Sequence, residues 1–366
     1  MGASHQEISN ILAAIEASAL PLEQMALATV VDVEGSAYRR IGARMLILEN
    51  GNWVGSISGG CLEGNALRIA REVMRLGKPR LIAYDTRTDE NAKVLGASLG
   101  CNGIIEVWIE PMAGTEALPI LKALKQAFLG KSESWFTRDL VVNAMADGRW
   151  SFLGTSDDDP DIFSEGDAKE LLAQPGIQIL HSGLFTIQVF VECVTPATRL
   201  LVFGGGEDAR PLVQLAAQLG WRVTVTDDCG AKALPIRFPE AESVLQLQRE
   251  RAAQELQPDR FTAAVLMSHN YGYDKAILQE LMGTDVAYIG LLGPRKRFDR
   301  MNAELGGVLD DNQAIHAPIG LDIGAQTPLE IAVAVVAEIQ AVFSRRNAGF
   351  LKQREGFIHD RKELQT

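Results

Sequence analysis

The stretch Arg199-Leu200-Leu201-Val202-Phe203-Gly204-Gly205-Gly206-Glu207-Asp208-Ala209 decides the fold of this chain. Leu200 to Phe203 is an unbroken apolar run, the composition of a strand covered on both faces. Gly204, Gly206 and Ala209 match G-x-G-x-x-A and lead into a helix over Arg210 to Leu219. Glycines in such a turn let the backbone approach a pyrophosphate, and the helix start offers free N–H groups and the positive end of its dipole. A second strand, Arg222 to Thr226, ends at Asp227, about twenty residues on, where a ribose-binding carboxylate is expected. Strand, turn, helix, strand and acid in that order predict a Rossmann-type domain with an NAD(P)-like dinucleotide as its candidate ligand. Gly204, Gly205, Gly206 and Asp227 are the contact candidates. Glu207 and Asp208 run against a phosphate, since they put two carboxylates in the helix's first turn; acids there also cap helices.

Downstream, the alternation of strand and helix continues. Ala263 to Ser268 and Val286 to Leu291 read as strands followed by helices, with a weaker strand at Glu242 to Leu245. Thr327-Pro328-Leu329-Glu330 opens a closing helix, with a capping threonine, a first-turn proline and a glutamate three positions on. Upstream the pattern is different. Ile8, Ile11, Leu12 and Ile15 share one helical face, Ala26 to Val33 reads as a buried strand, and Asn50-Gly51 marks a hairpin between Ala43 to Leu48 and Trp53 to Ile57. After Gly59-Gly60 a helix carries Leu62, Ala66, Ile69, Ala70 and Val73 on one face, and strands near Arg80 to Tyr84 and Gly103 to Ile109 follow. The expected organisation is α/β: an N-terminal α+β domain over 1–112, a β-rich extension or linker over 113–196, and a doubly wound parallel sheet over 197–366. The middle segment carries β-like runs at Trp135 to Val142, Trp150 to Gly154 and Gly183 to Cys193.

At 366 residues the chain is long enough for two cores. The formal net charge of −12 argues against a nucleic-acid partner, which needs clustered positive charge. No stretch is long and apolar enough to cross a bilayer, and the start lacks a secretion pattern, so a cytoplasmic protein is expected. The four cysteines, Cys61, Cys101, Cys193 and Cys229, are too dispersed for a disulfide framework or a self-contained zinc motif.

Three groups of residues carry candidate chemistry. In Gly55-Ser56-Ile57-Ser58-Gly59-Gly60-Cys61-Leu62-Glu63 a small-residue turn delivers Cys61 to a helix start, where a dipole favours thiolate, a soft nucleophile and metal ligand. The same amide-rich turn suits a phosphate; alternatively, Cys61 simply packs its helix onto the sheet. Arg39-Arg40 with Arg44 in a glycine-bounded loop suits an anion, since guanidinium binds phosphate bidentately, or else forms a solvated surface. Gly100-Cys101-Asn102-Gly103 places Cys101 where backbone can close on a ligand, or else where a small buried cysteine packs a turn. The third group sits at strand ends of the later domain: His269 with Asp274, and Arg295-Lys296-Arg297 at a helix start, where dipole logic disfavours cations and so points to an anionic ligand or acidic partner. His181, in an apolar β-like run, reads as structural.

Taken together, Glu34-Gly35-Ser36 with Arg39-Arg40-Ile41-Gly42-Ala43-Arg44-Met45, Gly59-Gly60-Cys61-Leu62-Glu63, Ser268-His269 with Asp274, Tyr288-Ile289-Gly290-Leu291-Leu292-Gly293-Pro294-Arg295, and Pro318 to Ala325 running into Thr327-Pro328-Leu329-Glu330 resemble the XdhC/CoxI family. These are accessory proteins for maturation of xanthine dehydrogenase and carbon monoxide dehydrogenase. The resemblance covers both ends of the chain and skips the middle. It implies a chaperone-like maturation factor rather than a dehydrogenase, one that binds the molybdenum cofactor (molybdopterin) and protects it during sulfuration. Such a factor passes the cofactor to an apo molybdenum hydroxylase, with a cysteine desulfurase as sulfur donor and with homodimerisation expected. Carried over, Arg39, Arg40, Arg44, Gly59, Gly60, Cys61 and Glu63 become cofactor contacts, with Cys61 a molybdenum contact, Cys101 the family's second glycine-flanked cysteine, and His269 and Arg295 further contacts. Cys61, Cys101 and His269 are also the catalytic candidates. Two departures stand out: Asn102 where many members have glycine, and Gly205-Gly206-Glu207 in place of Ala-Gly-His. The alternatives are an NAD(P)-dependent oxidoreductase, which needs only the Gly204 region, and a nucleotide- or redox-sensing regulator without turnover.

Overall fold

The computed structural model of the chain describes residues 5–18, 24–36, 38–87, 102–112, 117–132, 134–142, 145–146, 150–155, 176–182, 185–310 and 312–355. They fall into two compact units, the second of them Ala197–Arg354.

The first unit opens with helix α1 (His5–Ala17), which buries the predicted Ile8, Ile11, Leu12 and Ile15. Strands β1 (Met25–Ser36), β2 (Arg44–Leu48), β3 (Trp53–Gly55), β4 (Arg80–Asp85) and β5 (Asn102–Pro111) form an antiparallel sheet in the order β3-β2-β1-β5-β4. Helix α2 (Glu63–Leu76) lies on one face of this sheet, its Ala66, Ile69, Ala70 and Val73 packed against Ala26, Ala28, Val30, Val107 and Ile109. Alternation along β1 sends Val31 to the opposite face, where it meets Trp108. A left-handed glycine ends α2: Gly77 adopts φ +64, and its N–H returns to the carbonyl of Val73.

The middle of the chain holds a helix that the sequence reading missed, α3 (Ala117–Leu129), and a second antiparallel sheet. That sheet runs β7 (Met145–Ala146), β6 (Ser134–Val142), β10 (Phe185–Val194), β9 (Gly176–Ser182), with β8 (Trp150–Thr155) also paired to β6. These strands add no edge to the first sheet. They stack on its face, where Phe190 and Ile177 close over Val31 and Trp108. Fully buried Trp108 anchors this contact; truncating a buried aromatic of that size costs ~3–5 kcal/mol.

In the second unit β11 (Arg199–Phe203), β12 (Arg222–Asp227), β13 (Ser243–Gln246), β14 (Thr262–Leu266), β15 (Tyr288–Leu291) and β16 (Ile315–His316) form one sheet in the order β13-β12-β11-β14-β15-β16. Every pairing in it is parallel. Counted within the unit this is 3-2-1-4-5-6, the Rossmann order, with its crossover between β11 and β14. Both faces are covered, which explains the unbroken apolar strands. Leu201, Phe203, Ala264 and Leu266 face α5 (Ala252–Leu256), α6 (Tyr271–Leu281) and α7 (Arg295–Glu304). Leu200, Val202, Ala263 and Val265 face α4 (Ala209–Gln218) and α8 (Pro328–Phe343). The predicted capping box of α8 is present, with Glu330 N–H donating to the Thr327 hydroxyl and Glu330 accepting from Thr327 N–H. Among the described residues no helix is long and apolar enough to cross a membrane.

Candidate functional site

The glycine-rich turn before α2 is an anion cradle, and the anion in it belongs to the chain. Glu63, the first residue of α2, folds its carboxylate back under the turn. Oε1 accepts from the backbone N–H groups of Ile57, Ser58 and Gly59 and from the Ser56 hydroxyl. Oε2 accepts from the N–H groups of Gly60 and Leu62 and, at 2.5 Å, from the Ser58 hydroxyl. Burial pushes the Glu63 carboxyl up, but the Ser58 and Ser56 hydroxyls and the backbone donors outweigh it and bring it down to about 2. The predicted phosphate cradle is therefore filled by Glu63, which makes the turn a braced platform. On it Cys61 is half-buried as a free thiol, its flank packed against the α2 core.

The arginine loop is tied into the same network. Arg39 Nη2 donates to both carboxylate oxygens of Glu7 of α1, at 2.7 and 2.6 Å, and Nε donates to the carbonyl of Ser56. Arg44 is 1% exposed and grips Glu192 of β10 through two bonds of 2.9 and 2.6 Å, with a third to the Gly42 carbonyl. Arg44 thus makes the fork contact expected of an anion site and Arg39 a single-nitrogen one, with carboxylates of the chain as the anions. Arg40 is half-buried beside them. Sequence reasoning singles out neither Glu7 nor Glu192. Glu7 had a signal, since it lies four residues before Ile11 on the helix face that turns inward. Cys101, with Gly100, lies outside the described residues.

In the second unit, the Gly204 turn sits at the carboxyl edge of the parallel sheet as predicted. Gly204 has φ +124, and a Cβ there would lie 2.6 Å from the backbone of Ser268. Asp227 is 3% exposed, and its oxygens accept from the N–H groups of Gly205 and Cys229. The acid predicted to face a ribose thus braces the glycine turn and the loop after β12. Glu207 is held by Arg237 and Arg210, which keep its carboxyl below the usual range. Asp208 pairs with His269 Nε2 at 2.7 Å. His269 is exposed at the end of β14 with φ +59, a conformation unusual for a side-chain-bearing residue and concentrated at functional positions.

Beneath it, Ser268 donates to Asp274, which also receives Arg297 at 2.6 Å. Burial raises the Asp274 carboxyl above its ordinary range despite these bonds. Arg295 pairs with Asp299 and Asp310. The acidic partners inferred for these helix-start cations are thus supplied by the chain for Arg295 and Arg297. The structure brings His269 together with Asp208, and the Gly204 turn together with Asp227; it brings Arg39, Ser56 and the Glu63-braced turn into one network. Among the described residues no three His, Cys, Asp or Glu side chains are grouped to hold a metal ion.

Family comparison covers both regions. Residues 22–85 match the XdhC and CoxI family, and residues 200–339 match the XdhC Rossmann domain. A probable xanthine dehydrogenase component of Bacillus subtilis is 34% identical over 322 residues, covering 87% of this chain and 92% of that protein. The chain belongs to the XdhC and CoxI family. Another relative is the Molybdenum cofactor insertion chaperone PaoD of Escherichia coli, 25% identical over 86% of this chain and 82% of its own length. A crystal structure described as a xanthine dehydrogenase from Bacillus halodurans aligns with a TM-score of 0.75 and 27% identity, over 94% of this chain and 98% of that one. The two family matches enclose the Arg39 loop, the Cys61 turn, the Gly204 turn, Asp227, His269 and Arg295, whereas Cys101 falls outside both. The XdhC Rossmann domain thus matches the unit whose strand order is 3-2-1-4-5-6.

Proposed function

We propose that this chain is a maturation factor for a molybdenum hydroxylase, one that holds the molybdenum cofactor and delivers it to the apo-enzyme. The observation that carries this reading is similarity, across both units, to a molybdenum cofactor insertion chaperone and to a probable xanthine dehydrogenase component. The donor set is compatible with it. A pterin cofactor brings its own sulfur ligands to the metal and needs few from the protein, so a half-buried thiol on a braced turn suffices as a contact. When bound, the cofactor supplies the molybdenum centre and a phosphate tail.

In this reading Cys61 holds the metal end. Glu63 keeps the Cys61 turn in one shape, and Arg39 and Arg44 hold the arginine loop in place through Glu7 and Glu192. Partners follow from the role: an apo molybdenum hydroxylase, a cysteine desulfurase while the sulfur ligand is installed, and a second copy of the chain. The test is reconstitution of an apo-hydroxylase with wild-type protein or Cys61→Ala. The wild type activates the hydroxylase and the variant does not; equal activation by both overturns the role given to Cys61.

A second reading, an NAD(P)-dependent oxidoreductase, is favoured by the strand order and the Gly204 turn. Against it stands the burial of Asp227, 3% exposed, with its two oxygens turned to the Gly205 and Cys229 amides of its own chain. Titration with NADH and NADPH separates the readings, since the chaperone role predicts no substrate-dependent oxidation of either.

A further inference from the structure

Tyr38 is 71% exposed, yet its ring is seated rather than loose. A Cβ built at Gly59 would lie 2.7 Å from Tyr38 Cδ1 and 2.9 Å from Cε1, so the ring rests on the bare backbone of Gly59, whose φ of +91 also favours glycine. At the next residue, Gly60, a Cβ would meet nothing within 4 Å outside its chain neighbours, so that side of the glycine is open. The backbone under the ring is the turn that Glu63 braces. The neighbouring Arg39 is turned away into Glu7 and Ser56. An aromatic ring is thus held against rigid backbone, largely exposed, with an open glycine and a thiol next along the same turn.

We infer that Tyr38 is a stacking platform for a flat heteroaromatic ring, the pterin of the cofactor whose metal end Cys61 holds. The inference rests on the proposed function. Every pterin has a π-face, and stacking on a seated aromatic gives affinity without demanding a hydrogen-bond pattern. Tyrosine suits the task because only two side-chain torsions need ordering, and the contact with Gly59 already limits them. By analogy with base stacking, removal of the ring weakens binding about tenfold to a hundredfold.

The test uses the full chain and two probes: molybdopterin released anaerobically from a purified molybdenum enzyme, and 6-hydroxymethylpterin as the ring alone. Binding to wild type, Tyr38→Phe and Tyr38→Ala is followed by quenching of pterin fluorescence for 6-hydroxymethylpterin and by equilibrium ultrafiltration for reduced, non-fluorescent molybdopterin, with circular dichroism confirming that each folds. The expected result is binding by wild type, affinity within about twofold for Tyr38→Phe, and a loss of about tenfold or more for Tyr38→Ala with both probes. Equal binding by Tyr38→Ala and wild type overturns the stacking role while leaving the functional reading intact. So does a loss as large in Tyr38→Phe as in Tyr38→Ala, which assigns the effect to the hydroxyl. If wild type binds neither probe, the functional reading fails and the stacking role fails with it.

Discussion

Replacing Glu63 with glutamine should expose how much the Cys61 turn depends on one carboxylate. A Glu63 pKa lowered from 4.5 to about 2 corresponds to a preference of the folded turn for the charged form of about 3 kcal/mol. The sign follows from the depressed folded value: this stability is present in full above pH 4.5 and is lost as pH falls toward about 2. Glutamine keeps one acceptor oxygen but turns a donor toward amides and hydroxyls that are themselves donors. Glu63→Gln should therefore lower the stability of the first unit by about 3 kcal/mol at pH 7, and the deficit should shrink as the wild type is acidified through the same window. Denaturant unfolding at pH 7, 5, 4 and 3 measures the deficit directly. Hydrogen exchange of the peptide covering Ser56 to Glu63 shows whether the loss is centred on the turn. A deficit below about 1 kcal/mol at pH 7, or one that stays constant with pH, would refute the bracing role.

Other substitutions test the remaining contacts. Arg44→Met strands buried Glu192 and should cost about 3–5 kcal/mol in denaturant unfolding, whereas Arg44→Met with Glu192→Leu should recover most of it. Gly204→Ala forces a methyl into the backbone of Ser268 and should destabilise the Rossmann unit by about 3 kcal/mol, seen as a lower melting temperature of that unit with the first unit unchanged. Tyr288→Phe removes the bond from the buried phenol to Glu338, which also receives Gly320 N–H, and should cost about 1–2 kcal/mol by the same melting assay.

The second unit was legible because its information is local. Leu200 to Phe203 and Ala263 to Leu266 are apolar on both sides of the strand, and that pattern belongs to a sheet covered on both faces. Gly204 and the Thr327 cap then punctuate the chain within a few residues of the elements they serve. The candidate residues were legible by type, but their partners were not. Arg39 and Arg44 look like anion ligands from any window of sequence; the carboxylates they meet lie 32 and 148 residues away, beyond any spacing rule. Asp227 was located correctly at the end of β12, but which way its oxygens turn depends on the Gly205 and Cys229 amides. Glu63 carried a usable signal: an amide-rich turn followed at once by an acid opening an apolar helix face can satisfy itself. Helix α3 was lost among β-like runs, although Leu121, Leu124 and Phe128 recur at helical spacing, because Pro119 and the short flanking segments masked its start.

The measurement that bears most directly on the proposed function is mass spectrometry of the small molecule that copurifies with wild-type protein. The protein should be expressed side by side in a host with an intact molybdopterin pathway and in one without it. A cofactor-carrying maturation factor predicts a phosphorylated pterin near one per chain from the first host and none from the second. Recovery of NAD(P) alone from both hosts, with no pterin from either, would contradict it.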